Sequence, residues 1–415
     1  MPSATRVIED LRQVPPPSGL DPESSLLPVV NARRAANDWM KVRDYRGWEP
    51  YDLLNSPYLS GPWMRSPLLA IPLLQGGRRF LGSRARTLLR VPLSKNPKAL
   101  GLLLSGYCDL ARCGEDCESE ARYLKAELIR LRSPNEELFC WGYDWDFVSW
   151  RGPTMAAFTP NSIATYFCAS ALLDFAEMFH DPEARAMAES AGEFFVRRLN
   201  RSVDLEDGIC FSYTPTNQTL IYNSSALVGA FLMRLAAASG NRDYRKLAGR
   251  SMNFLARAQR ADGSWPYGAK SRQQWIDHFH TAYNLSALLD YIRLSGDPSH
   301  EEILKRGYDF YRRNLFAERG APKYFHDRPY PIDIHSCAQA VLTFCAFSSR
   351  DASALKSAFE TAQWTIENLK APEGCFYFQR HRFWTNRTPY MRWGQAWMFL
   401  ALSRLELTIR ARGRG

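Results

Sequence analysis

Hydrophobic positions alternate between two patterns along most of the chain. Pro182 to Leu199, Asp243 to Gln259, Glu301 to Leu315 and Ala352 to Leu369 each carry one apolar stripe opposite a charged face. That is the pattern of a helix lying against a core. Ser224 to Ala238, Ser336 to Phe347 and Gly394 to Leu402 are apolar or small on nearly every side. A helix of that kind is buried. Phe179-His180-Asp181-Pro182, Ser239-Gly240-Asn241 and Ser295-Gly296-Asp297-Pro298 separate buried from amphipathic segments. Their Gly stops and Pro starts suit short interhelical turns.

An aromatic turn precedes five of the buried segments. The copies read Phe139-Cys140-Trp141-Gly142-Tyr143, Gly208-Ile209-Cys210-Phe211-Ser212-Tyr213, Asp262-Gly263-Ser264-Trp265-Pro266-Tyr267-Gly268, Ala321-Pro322-Lys323-Tyr324-Phe325 and Gly374-Cys375-Phe376-Tyr377-Phe378. The buried segments begin near Asn161, Asn223, His280, His335 and Arg392; a sixth, without such a turn, begins near Asn96. The spacing is roughly 50 to 65 residues, a helix pair plus loops. The repeat predicts an all-α fold, an (α/α)6 toroid of six inner and about six outer helices. Five outer helices follow Cys117, the first over Glu118 to Leu131, and Val30 to Val42 is a candidate for the sixth. All inner helices then run the same way. Their N-termini and the short turn elements gather at one mouth, with a dipole bias toward anionic ligands.

Composition narrows this picture. Each helix pair needs its neighbours to bury its faces, so residues 95–415 are expected to form one catalytic toroid. Residues 1–94 do not fit the repeat. They are rich in Pro (Pro15, Pro16, Pro17, Pro28) and basic residues (Arg78, Arg79, Arg84, Arg86, Arg90) and predict an irregular arm across the barrel that covers the mouth, or disorder over the first 25 or so residues. The start at Met1 lacks the apolar core of a signal peptide, and no apolar stretch of about 18 residues occurs. A cytoplasmic location is expected, with peripheral membrane contact left open. Nine cysteines, several within apolar helices, fit reduced buried thiols. Cys113-x3-Cys117 has no second half to complete a metal site. The net charge of +10 favours acidic partners, but basic residues form no single run and no groove-reading motif, so nucleic acid is not the expected one.

The candidate chemistry lies in the mouth. Aromatics make up 13% of the chain, and many of them sit in the mouth turns. They can stack on sugars, shield carbocations, or simply staple loops to the ring. Asp144, amid Trp141, Tyr143 and Trp145, is a candidate general acid with a pKa raised by apolar surroundings, or an Asx-turn. In Trp275-Ile276-Asp277-His278-Phe279-His280-Thr281, Asp277 suits an N-cap and His280 faces the lumen as an acid or base. His278 and His280 diverge and make a poor metal pair. His335 holds the equivalent repeat position, as a partner base or a hydrogen-bonded core histidine. Asn161 and Asn223 occupy that position in two further repeats, to bind hydroxyls or cap helices. Arg392, beside Trp393, is placed to grip a carboxylate.

The stretches Trp141-Gly-Tyr-Asp144, Tyr222-Asn223, Asp262-Gly-Ser-Trp-Pro-Tyr-Gly268 and Trp275-Ile-Asp277-His-Phe-His280-Thr281 resemble a VpsJ-like toroid family of bacterial polysaccharide-biosynthesis clusters. At fold level the chain is similar to toroidal glycoside hydrolases, uronate epimerases and N-acylglucosamine epimerases, which use His, Asp or Tyr at the ring mouth. Phe254-Leu255-x3-Gln259-x3-Gly263-Ser264-Trp265 resembles the QW motif of squalene-type cyclases, where it is structural; their Asp-x-Asp-Asp acid motif is absent, with Asp144-Trp145-Asp146-Phe147 a partial echo. The expectation is therefore a carbohydrate-active enzyme of polysaccharide metabolism, acting on a sugar or oligosaccharide that can be anionic, with no metal and no cofactor. Asp144, His280, His335 and Asp277 are its catalytic candidates. Trp141, Tyr143, Asn161, Tyr222, Asn223, Trp265, Tyr267, Tyr324, Arg392 and Trp393 are its binding candidates. A cyclase-like terpenoid enzyme and a non-catalytic glycan- or partner-binding scaffold are the alternatives.

Overall fold

Two kinds of helix alternate as the hydrophobic pattern requires. The structure, a computed structural model, describes residues 22–59, 61, 66–80, 82–148, 155–317 and 320–413. Met1, Pro15, Pro16, Pro17 and Arg414 lie outside them, as do the side chains of Arg78 and Arg79. Three helices come first: α1 (Pro22–Lys41), α2 (Pro67–Phe80) and α3 (Ser83–Leu88). The pairs follow as α4 (Pro97–Arg112) with α5 (Glu118–Arg130), α6 (Ser162–Phe179) with α7 (Pro182–Arg197), and α8 (Tyr222–Ser239) with α9 (Arg242–Arg257). After them come α10 (His278–Ser295) with α11 (Glu301–Asn314), α12 (Ile334–Phe347) with α13 (Ala354–Leu369), and α14 (Trp397–Gly413). One π-helical turn, Met391–Ala396, leads into α14.

The even-numbered helices from α4 to α14 are the inner ring. Each packs on the next, and α14 returns to α4, which closes the toroid. Helices α5, α7, α9, α11 and α13 lie outside, and α1 packs on α13 and α14 as the sixth outer helix. Inner-to-outer turns are tight, with Gly240 and Gly296 in the left-handed region at the ends of α8 and α10. The outer-to-inner connections are longer and carry the small sheets. Arg201–Leu205 pairs antiparallel with Gly208–Phe211, and Ile332–Asp333, Gln379–Arg380 and Thr385–Asn386 form a three-stranded antiparallel patch.

The arm is irregular only in part: α1, which contains most of the segment Val30 to Val42 that is the sequence's candidate, fills the sixth outer position of the ring. Val29, Ala36 and Met40 are fully buried, and Arg33 reaches Glu406 (3.0 Å) on α14 and Glu115 (2.6 Å). Leu53, Ala70, Ile71, Leu74 and Val91 of the arm form a second, small core with Val148.

The QW-like turn is a staple between outer helices. Gln259 Nε2 donates to Gly263 O (3.1 Å) and to Ile303 O of α11 (2.8 Å), while Trp265 Nε1 donates to Leu255 O (3.0 Å). Gly263 has φ +90 and lies so close to α11 that a Cβ would stand 2.4 Å from Arg306 O.

Candidate active site

The mouth is organised by helix register. Counting from the caps Asn96, Asn161, Ile221, Asp277, Asp333 and Tyr390, the second helical residues are Lys98, Ile163, Asn223, Phe279, His335 and Arg392. All six line one cavity of about 320 Å³. Side chains lean toward a helix's N-terminus, so six parallel helix starts aim one ring of residues into the mouth. Among the described residues the aromatic turns wall it. Tyr143 stacks on Trp145 (centroids 4.7 Å, interplanar 5°) and Tyr267 on Trp275 (4.5 Å, 16°). Tyr51, Leu74 and Gln75 of the arm line the same space.

His280 is the residue best placed for proton transfer. Asp277 caps α10 through Oδ1, which accepts from His280 N (3.0 Å). Its Oδ2 lies 2.7 Å from His280 Nδ1 and accepts from Trp275 Nε1 at 2.9 Å. A carboxylate can only accept here, so the neutral imidazole is the tautomer with its proton on Nδ1 and a lone pair on Nε2. Nε2 has no hydrogen-bond partner among the described residues, and the ring is partly exposed in the cavity wall.

His335 is held differently. Its ring lies between Phe279 (4.5 Å) and Trp397 (4.8 Å), its Nε2 is 2.8 Å from Tyr283 Oη, and its Nδ1 is buried without a partner. Burial, with Lys98 and Arg392 nearby, drives its pKa well below the ordinary histidine value, so it is neutral. Asp333 caps α12 through His335 N (2.8 Å) and also accepts from Trp393 Nε1 (2.9 Å) and Gln379 Nε2 (2.6 Å).

Among the described residues two cations border the cavity. Arg392 lies beside the rings of Tyr143, Trp145 and Trp393, but its charge is met by Glu49 of the arm, with Nε 3.0 Å from Oε2 and the backbone N donating to Oε1 at 3.0 Å. Burial pushes the Glu49 carboxyl up to about 7. Behind it Asp52 accepts from Glu49 N (2.7 Å) and pairs with Arg86, which donates to Tyr390 Oη (3.0 Å). Lys98 is only 3% exposed, and its ammonium lies over Phe167 (4.2 Å), Trp397 (5.2 Å) and Tyr283 (5.6 Å). Among the described residues it has no hydrogen bond and no ion pair.

Of the residues singled out in the sequence, Asp277, His280, His335, Tyr143, Asn223, Tyr267, Tyr324, Arg392 and Trp393 line the cavity. Asp144, Trp141, Asn161, Tyr222 and Trp265 are not among its lining residues. Burial raises the pKa of the Asp144 carboxyl, its Oδ1 is buried without a partner, and its carbonyl accepts from Asn55 of the arm (3.1 Å). Trp141 is core, with Nε1 donating to Leu128 O (2.8 Å). Asn161 is the cap of α6, accepting from Ala164 N (2.8 Å). Tyr222 packs on Phe254, and Trp265 against α11 at Gly307. Lys98, Tyr283 and Trp145 were not singled out as site residues, nor was Glu49. The shared signal was positional, two residues beyond the start of each buried helix, and it would have found Lys98.

Among the described residues no three His, Cys, Asp or Glu side chains converge as a metal-binding group, and no helix is long and apolar enough to cross a membrane. All nine cysteines are buried and free.

No protein-family model and no curated protein matches the chain. Solved structures do. Cellobiose 2-epimerase from Bacillus thermoamylovorans B4167 is similar at 12% identity and TM-score 0.59, over 77% of this chain and 90% of that one. A family 76 α-mannanase from Bacteroides thetaiotaomicron aligns at 13% identity and TM-score 0.56, over 88% and 98%. A D-mannose isomerase aligns at 12% identity and TM-score 0.56, over 75% and 86%. The resemblances to VpsJ-like proteins and to squalene-type cyclases rest on the quoted residues alone. The expected likeness to helical-toroid sugar epimerases and glycoside hydrolases holds at the level of the fold: this chain is an (α/α)6 toroid.

Proposed function

We propose that this protein is a carbohydrate-active enzyme of polysaccharide metabolism that moves a proton on a sugar bound in the mouth cavity. The observation that carries this is the Asp277–His280 pair, whose Nε2 lone pair stands free in a wall of stacked aromatics. His280 takes or gives the proton, and Asp277 holds its tautomer and stabilises the imidazolium that forms. The Tyr143–Trp145 and Tyr267–Trp275 stacks offer flat faces for the C–H surface of a sugar ring. The solved structures with this fold include a sugar epimerase and a sugar isomerase, reactions that turn on a proton beside a carbonyl.

Epimerisation, isomerisation or elimination is favoured over glycoside hydrolysis by the carboxylates. Hydrolysis by either geometry uses two of them flanking the bond. Asp277 is the one carboxylate among the described residues lining the cavity, and it is committed to His280 and Trp275.

The test is solvent exchange. The protein is incubated with reducing sugars and uronates in D2O, and C–H to C–D exchange is followed by NMR. Exchange at one carbon, lost in His280→Gln, is expected. Release of reducing ends from glycosides without exchange would move the reading to hydrolysis, and sugar binding without any turnover would make the protein a glycan-binding scaffold.

A further inference from the structure

One charged side chain of the cavity has no direct partner. Arg392 pairs with Glu49, and Asp277 accepts from His280 and Trp275, but Lys98 has no hydrogen bond and no ion pair among the described residues and feels Glu49 only at a distance. Taking an ammonium out of water without a counter-ion is costly, and ring faces return only part of the cost. Burial, with Arg392 nearby, holds its pKa well below the ordinary lysine value. Lys98 is the second residue of α4, so the positive end of that helix adds to its field.

We propose that the cavity takes a sugar acid and that Lys98, rather than the already paired Arg392, holds its carboxylate. This rests on the reading of the cavity as a sugar site and names the class of sugar. The geometry also orients the ligand. In the ring order, α4 stands three places from α10, across the axis. The Lys98 ammonium lies at the floor, over Phe167, Tyr283 and Trp397, while His280 stands one helical turn nearer the mouth than Tyr283. A carboxylate at the floor leaves the other end of the sugar facing the His280 lone pair. The carboxylate is the counter-ion that the buried amine lacks: it favours the ammonium form, so binding and formation of the ion pair are one event.

The experiment compares matched ligands on the full chain. Methyl glucuronide, galacturonide and mannuronide are each titrated against the methyl glycoside of the corresponding neutral hexose, with calorimetry as readout. At least one uronide is expected to bind tenfold or more tightly than its neutral partner. Lys98→Met should reduce that preference to within twofold while keeping the neutral sugar's affinity, and Lys98→Arg should keep part of the preference. Neutral sugars binding the wild type as well as uronides do would overturn the sugar-acid assignment and leave the sugar site standing. So would a preference that persists in Lys98→Met, or, in a parallel incubation with the reducing uronic acids and cyanoborohydride, trapping of the sugar aldehyde on Lys98, which would make the amine a nucleophile. Binding of neither kind would sink the sugar site and this assignment together. The wild-type comparison decides the sugar-acid assignment even if Lys98→Met does not fold, and Lys98→Arg, which keeps the charge, then decides whether the preference follows this side chain.

Discussion

Two neighbouring inner helices begin with an Asp cap and a histidine, and they use them differently. At the start of α10 the histidine is the third helical residue; at the start of α12 it is the second. In the first, Asp277 spends one oxygen on the backbone and the other on the His280 ring and Trp275. In the second, Asp333 spends its oxygens on His335 N, Trp393 and Gln379, and none on the imidazole. One residue of register therefore separates a histidine with a fixed tautomer and a free lone pair from one sandwiched between two rings. Similar sequences, Asp277-His-Phe-His280 and Asp333-Ile-His335, yield a candidate base and a buried wall.

The largest effect that can break this comparison is on turnover. His280→Gln keeps a similar volume and hydrogen-bonding capacity but cannot shuttle a proton at neutral pH. Proton transfer by one positioned side chain is worth about 100- to 10,000-fold, and a loss in that range is expected from rate measurements on the exchange reaction. Circular dichroism should show the fold intact. A loss below tenfold would remove His280 from the reacting centre.

Asp277→Asn sharpens the comparison. An amide still caps α10, so the stability cost should stay under about 1 kcal/mol. It no longer stabilises an imidazolium, and kcat should fall while the sugar's affinity holds. The matching Asp333→Asn touches no imidazole nitrogen. It should lower the urea midpoint and leave kcat within a few-fold, because its partners are backbone, Trp393 and Gln379. Equal kcat losses in the two variants would erase the distinction drawn here.

How much of this was legible in the sequence follows the same line. The ring was legible because burial on all sides and burial on one face leave different periodicities, and α6, α8 and α12 against α7, α9 and α11 display both. Asp277 as a cap was legible for the same local reason. The direction of each mouth side chain was not. Trp141 and Trp265 sit in aromatic turns as Tyr143 and Tyr267 do, but their indole N–H groups found carbonyls inside the wall. Asp144 has the aromatic neighbours of a mouth residue, but it does not line the cavity, and its carbonyl meets Asn55 of the arm. Glu49 lies 343 residues from Arg392 along the chain, and no local pattern announces that pairing. Lys98 was hidden because an inner helix without an aromatic turn drew no attention to its start.

A third variant separates packing from chemistry at His335. His335→Ala would empty the space between Phe279 and Trp397 and is expected to cost about 3 kcal/mol, as large-to-small changes at buried rings do. His335→Phe keeps the stack but loses the contact with Tyr283 Oη. It should recover most of that stability, read as a urea midpoint near wild type, and bind sugar normally. If His335→Phe abolishes turnover as fully as His280→Gln does, the second histidine also takes part in the reaction and the two caps are a catalytic pair.

The smallest effect concerns pH and the third histidine of the two caps. His278 opens α10 but turns into the core, against Tyr311 and Phe316, with both ring nitrogens unpartnered. Burial lowers its pKa from 6.5 to about 3. Between those values the unfolded chain binds a proton that the folded chain refuses, so His278 removes stability as pH falls from 6.5 toward 3. Glu49 works in the opposite sense. Its folded pKa of about 7 lies above the unfolded 4.5, so the folded state holds a proton that the unfolded state releases, and its contribution grows as pH falls through that window. The two partly cancel in the wild type, which is why the variant matters. In His278→Phe, which keeps an aromatic ring against Tyr311, the stability difference from wild type should widen by up to about 1.4 kcal/mol per pH unit below 6.5. Urea unfolding at pH 7.5, 6 and 5 reads it directly. Parallel curves for the two proteins would mean that His278 is protonated in the folded state, and that the core at the start of α10 is wetter than its closed packing implies.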